Sequence, residues 1–223
     1  MRLNIAIDGP VSAGKSSVSD AVAKRLGILH LDTGAMYRAL GLAALETGTD
    51  PENEKAIVDL CRKLKVSVSY ETDGQHTYVE GRDVTGMIRE QKVGMAASTV
   101  SRYAEVRKEM VRIQQQLAAE TDMLVDGRDI CMTVLPNATA KFFLTAAQEE
   151  RARRRHLQLK EKGMEEPYEK VLQELKDRDE QDMNRKVEPL RQAPDAVLVD
   201  STHLTFDETV DTIVRIVEEK IHG

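Results

Sequence analysis

The chain has 223 residues, 41% of them hydrophobic and 31% charged, and carries a formal net charge of −6. That length buries one substantial core, and the composition is too apolar for a disordered chain. A negative chain does not bind polyanions through its overall field, and 4% aromatics with no Trp leave little for base stacking, so no nucleic-acid partner is expected.

In chain order, Leu3–Ile7 reads as a buried parallel strand. Asp8 follows it, then Gly9-Pro10-Val11-Ser12-Ala13-Gly14-Lys15-Ser16, which fits the phosphate-binding pattern G-x-x-x-x-G-K-[ST]. Val18, Ala21, Val22 and Leu26 then recur at helical spacing, and Gly27 sits at a C-cap position. A phosphate loop between strand and helix is the context that makes the pattern credible. Its backbone N–H groups face the phosphates at the positive end of a helix, Lys15 adds a charge on the β/γ-phosphates, and the Ser16 hydroxyl suits Mg²⁺. Ser12 is the odd member, because a positive φ there would be strained.

The segment 28–48 reads as a short strand, a turn at Asp32-Thr33-Gly34 and a helix. A further helix is expected from Asp50 as N-cap with Pro51 at its first position. Alternating polarity from about 65, with a turn at Thr72-Asp73-Gly74, predicts a small antiparallel insert over about 65–92. Helix returns from Val93 to about Thr121. "MLVDGRD" is a strand whose closing Asp126 can hold Mg²⁺ directly or through water, with Asp8 a weaker candidate for the same water shell. Arg128 and Asp129 follow at the strand's C-terminal end, where parallel α/β sheets bind ligands. "AKFFLTA" is a strand, Arg151, Arg153, Arg154 and Arg155 crowd a basic helix, a long charged helix follows, and "AVLVD" and a final amphipathic helix close the chain. A charged run is often only a solvated face, but with a triphosphate implied the arginines suit a lid over the transferring phosphoryl group. Alternating strands and helices predict an α/β fold, a parallel sheet with helices on both faces. Two distant cysteines, with neither a signal-like nor a transmembrane-length apolar stretch, lead us to expect a reduced, cytoplasmic protein with no membrane partner.

The stretches "IDGP…AGKS", "LDTGAMYRA", "AAS", "DGRD", "ERARRR", "YEKVLQELKDRDEQDMNR" and "AVLVDST" together resemble the bacterial cytidylate kinases, P-loop kinases of the nucleoside monophosphate kinase fold, over nearly the whole chain. The resemblance implies phosphorylation of CMP and dCMP by ATP with Mg²⁺. It implies a single kinase unit: a core of 1–30, 93–148 and 190–223, a monophosphate-binding region of 31–92, and a lid with its following helix at about 149–189. ATP would be held by residues 9–16, Ser17 and Arg153. Thr33, Tyr37, Arg38, Ser98, Arg107, Arg128, Asp129, Arg178, Asp182 and Arg185 would hold CMP, with Ser98, Arg107 and Asp129 at the cytosine edge and Arg178 and Asp182 at the ribose. A carboxylate accepts from the cytosine amino group, which uracil lacks. Arg178, Asp182 and Arg185 have the spacing to share one helical face. Lys15, Arg128, Arg154 and Arg155 would serve the transfer itself, and Ser16 and Asp126 the metal. A monomer is expected. Where the family usually continues "GTVV", this chain has Cys131-Met132-Thr133-Val134, a bulkier turn expected beside the acceptor pocket.

Another P-loop small-molecule kinase, for UMP, AMP or dephospho-coenzyme A, is the nearest alternative. A regulatory GTPase would need a guanine-reading N-K-x-D, which the sequence lacks.

Overall fold

A computed structural model describes residues 2–161 and 163–222. Met1 and Gly223, at the ends of the expected unit, and Lys162, within the expected lid, lie outside them. The elements are β1 (Asn4–Asp8), α1 (Lys15–Leu26), β2 (Leu29–Asp32), α2 (Thr33–Glu46), α3 (Glu54–Lys63), β3 (Val66–Glu71), β4 (Gly74–Val79), β5 (Arg82–Asp83), α4 (Gln91–Val100), α5 (Ala104–Glu120), β6 (Met123–Gly127), β7 (Ala140–Thr145), α6 (Gln148–Glu161), α7 (Tyr168–Asn184), β8 (Val197–Asp200) and α8 (Phe206–His222).

Five strands form one parallel sheet in the order β2-β6-β1-β7-β8. Side chains alternate across it. Ala6, Leu31, Met123 and Val125 pack with Met36, Leu40, Val106 and Met110 on one face. Ile5, Ile7, Leu124, Phe142 and Leu144 pack with Val18, Val22, Ile213 and Val217 on the other. Both faces are dry, which is why the strands read as near-continuous apolar runs. Each fully buried Ile, Leu or Phe contributes about 2 kcal/mol. Register sets the site: Ile7 lies opposite Asp126, Asp8 opposite Gly127, and Asp32 opposite Asp126 on the other side. The ends of the central strands therefore deliver the phosphate loop, Asp126 and "GRD" to one edge.

The insert is a three-stranded antiparallel sheet, β3-β4-β5, with Val66 opposite Val79 and Glu71 opposite Gly74. No described helix is long and apolar enough to cross a membrane.

Local signals mispredicted several boundaries. Asp50 does not cap α3. Its carboxylate accepts the Glu52 amide inside a turn, and Asn53 is the cap, accepting the Ala56 amide at 3.1 Å. No turn separates β2 from α2, because Asp32 ends the strand and caps the helix directly through the Ala35 amide. The helix expected from Val93 to Thr121 is two helices, parted at Ser101–Tyr103. Ser101 Oγ donates to the Ser98 carbonyl, and Tyr103 is held away by a bond from its hydroxyl to the Pro51 carbonyl. Arg185 falls just past α7, in extended backbone.

Candidate active site

The phosphate loop turns on two glycines. Gly9, at φ 156°, passes so close to β7 that a Cβ would sit 2.0 Å from the Leu144 carbonyl oxygen. Gly14 caps α1 at φ 87°. Ser12 does adopt a positive φ, 58°. A Ser12→Gly change is expected to raise stability by about 0.5–1 kcal/mol, about 2 °C in Tm. An unchanged or lowered Tm in a thermal melt would remove the strain from this account.

Lys15 is buried and donates from Nζ to the Pro10 carbonyl at 2.8 Å. Burial, with the Arg128 charge nearby, pulls its pKa down to about 7. A nearby anion favours the charged form of a buried amine and so opposes that shift. Ser16 Oγ donates to Asp126 Oδ2 at 3.2 Å, while His30 Nε2 lies 2.8 Å from Asp126 Oδ1. Burial works to raise the Asp126 pKa, but His30 and Lys15 outweigh it and hold it below the usual value. This hydroxyl–carboxylate pair is the hard-oxygen donor set that suits Mg²⁺. Asp8 is not part of it. Its buried carboxylate accepts the Ile130 and Cys131 amides at 2.7 and 2.9 Å, fixing the turn after "GRD".

Facing the phosphate loop across the crevice is a second wall. Arg128 Nε donates to Asp182 Oδ2 at 2.7 Å. Arg107 and Arg185 both donate to Asp129. The Arg107 guanidinium lies 5.8 Å from the Tyr37 ring centre, and Arg38 donates to the Ile88 carbonyl at 2.9 Å. Burial raises the Tyr37 pKa to about 12 and, with Arg128 alongside, lowers that of Arg178 to about 10. Lys15 and seven arginines (38, 89, 107, 128, 155, 178 and 185) line this crevice against four aspartates (32, 126, 129 and 182). A chain of net charge −6 thus concentrates positive charge at one place, as a site for phosphate groups requires.

All ten residues expected around the acceptor line the crevice, as do Val11, Ser12, Gly14, Lys15, Ser16, Ser17, Asp126 and Arg155. Gly9, Pro10 and Ala13 are buried parts of the loop that do not line the crevice. Two arginines are elsewhere. Arg154 is tied to the end of β8, donating to the Ser201 carbonyl at 2.7 Å and to Glu150. Arg153 is exposed and paired with Glu150. Their place on a helix was legible in the sequence, but which side of it faces the crevice was not. The turn at Ile130–Val134 also departs from expectation. Cys131 is buried against the Ala6 and Phe142 carbonyls, and neither it nor Met132 lines the crevice.

Sequence reasoning missed His30, Asp32, Arg89 and Glu188. His30 and Asp32 lie on β2, inside a stretch whose polar residues gave the only signal. Arg89 donates to Asp32 Oδ2 at 3.3 Å, and Gln75 of the insert accepts the Asp32 amide at 2.8 Å. The Arg89, Gln75 and Glu188 contacts join residues far apart in sequence and leave no local pattern.

A family model described as cytidylate kinase matches residues 5–219. A cytidylate kinase of Caldicellulosiruptor bescii is 46% identical over 96% of this chain and 95% of its own. One of Halalkalibacterium halodurans is 45% identical over 99% of each. The crystal structure of an uncharacterized protein from Eubacterium ventriosum shares the fold, with a TM-score of 0.55 and 13% identity over 98% of this chain and 99% of that one. With the phosphate loop and the arginine-rich wall meeting in one crevice, and with matches of this length and identity, the chain belongs to the cytidylate kinase family.

Proposed function

We propose that the chain transfers the γ-phosphoryl group of ATP to the 5′-phosphate of CMP, and of dCMP, releasing ADP and the nucleoside diphosphate. The observation that carries this is the pairing, in one crevice, of a phosphate loop with an opposite wall where Asp129 lies between Arg107 and Arg185. One wall suits a triphosphate. The other offers a carboxylate for a base amino group and guanidinium groups for a phosphate.

The acceptor phosphate is already anionic at neutral pH, so an oxygen of it attacks the γ-phosphorus without a strong base. The γ-phosphorus–oxygen bond to ADP breaks as the new one forms. Catalysis is then alignment and charge stabilisation. Lys15 sits on the β/γ-phosphates, Arg38, Arg128 and Arg185 hold the acceptor phosphate, and Arg178 and Asp182 hold the ribose. Arg155 is the lid arginine that reaches the transferring group. Ser16 and Asp126, the latter directly or through water, would hold Mg²⁺, which would supply positive charge to offset that of the phosphates. Residues about 149–189 close the site against water. We take the working species to be a monomer, since one chain supplies both walls. Its two buried free thiols suit the reducing cytoplasm.

The test is an ADP-release assay with ATP against CMP, dCMP, UMP, AMP and no acceptor, run on the parent chain and on Asp129→Asn. CMP and dCMP are expected to lead. The variant is expected to raise the KM for CMP at least tenfold and that for ATP less than twofold. Equal turnover without acceptor would overturn the kinase reading. Equal losses for CMP and ATP would remove Asp129 from the base.

A further inference from the structure

Glu188 lies in the loop after α7, where no sequence motif points. Its carboxylate accepts from Arg107 Nε at 2.6 Å, and its backbone carbonyl accepts from Arg185 Nε, also at 2.6 Å. These are the two arginines that hold Asp129. One residue outside the crevice therefore grips both cations that frame the carboxylate inside it.

The chemistry makes this more than a surface contact. Arg107 is 2% exposed. Its guanidinium is planar, so a carboxylate at Nε and another at Nη2 fix its rotation, and with it the face presented to Tyr37. Charge is also matched: Arg107 and Arg185 stand against Asp129 and Glu188. Without Glu188, Asp129 alone faces two guanidinium groups, and its oxygens are drawn to them and away from a ligand. The backbone points the same way. Glu188 has φ 50°, a conformation that residues with a Cβ seldom adopt. A loop that only had to turn would be served by Gly. A carboxylate held in strain beside a binding site argues for a task of its own.

We propose that Glu188 is a positioning residue that sets the preference for the acceptor base by orienting Arg107 and leaving Asp129 free to accept from the ligand. This deepens, and rests on, the reading of the crevice as a CMP site.

The test compares the parent with Glu188→Gly and Glu188→Gln. Gly relaxes the backbone and removes the carboxylate, while Gln keeps an acceptor and loses the charge. In Glu188→Gly the KM for CMP is expected to rise about tenfold, the KM for ATP to stay within twofold, and the preference for CMP over UMP to shrink. Thermal stability is expected to change little, because relief of the backbone strain offsets the Arg107 Nε left without its acceptor. Glu188→Gln is expected to fall between this variant and the parent, which also covers a failure of the Gly variant to fold. A KM for CMP within twofold of the parent in both variants overturns the proposal, as does an equal rise for ATP, which would mark a structural role. A parent with no preference for CMP overturns the underlying reading as well, and shows itself before any variant is measured.

Discussion

Lys15→Met is expected to lower turnover by about a thousandfold, equivalent to about 4 kcal/mol of transition-state stabilisation. The Lys15 side chain is buried and lines the crevice, and no other cation lies in the phosphate loop to replace it. Arg155 and Arg128 reach the crevice from other elements, so they compensate little. Met keeps most of the volume and removes only the ammonium. Protonating a buried amine costs stability, as its lowered pKa of about 7 records. The variant should therefore melt at or above the Tm of the parent. Reduced turnover with an undiminished Tm separates a lost catalytic charge from a damaged fold. A loss below tenfold in the ADP-release assay would mean that Lys15 does not meet the transferring phosphate.

The parts of this site legible in the sequence are those whose chemistry is local. The phosphate loop is contiguous, and its strand and helix announce themselves by periodicity. Asp126, Arg128 and Asp129 were legible because a parallel sheet displays ligands at its strand ends, and register then places Asp126 beside Ile7. The expectations for Arg107, Arg178 and Asp182 came from family resemblance, since nothing within a helix says what its polar face meets. Glu188 escaped both routes. It acts through Arg107, 81 residues away, from a loop whose conformation no propensity favours. The cap of α3 failed for a different reason. Asp50 and Asn53 are equally good caps locally, and Tyr103 holding the Pro51 carbonyl keeps that segment in a turn. Arg154 stands on the basic helix that the resemblance makes the lid and is expected to serve the transfer, yet the Ser201 carbonyl at the end of β8 holds its guanidinium.

Arg151 belongs to the same basic cluster and has a different fate. Its guanidinium is buried, donating to Asp179 Oδ2 at 2.7 Å, to the Val11 carbonyl at 2.8 Å and to the Ala146 carbonyl at 3.0 Å. One side chain thus joins α6, α7 and the phosphate loop, over a small apolar cluster of Val11, Ala152, Leu159, Val171 and Leu175. Asp179→Leu is expected to cost about 4 kcal/mol, since it leaves a buried cation unpaired, and to lower Tm by about 10 °C. Arg151→Met combined with Asp179→Leu removes both charges and their desolvation cost, so it should recover about half of that loss. The remainder is the Val11 and Ala146 carbonyls left without their donor. The KM for ATP should rise most in the double variant, because only there does the Val11 carbonyl lose its Arg151 donor. Thermal melts and ATP titrations of the single and double variants check this, and a Tm for Asp179→Leu within 2 °C of the parent would discard it. The brace also bears on the closure proposed for residues about 149–189: the first turn of α6 and Asp179 of α7 are tied to the phosphate loop, so under that proposal only the part between them is free to move. Arg155 and Gln158, which line the crevice one and two turns further along α6, are the residues that the proposal would bring toward the phosphates.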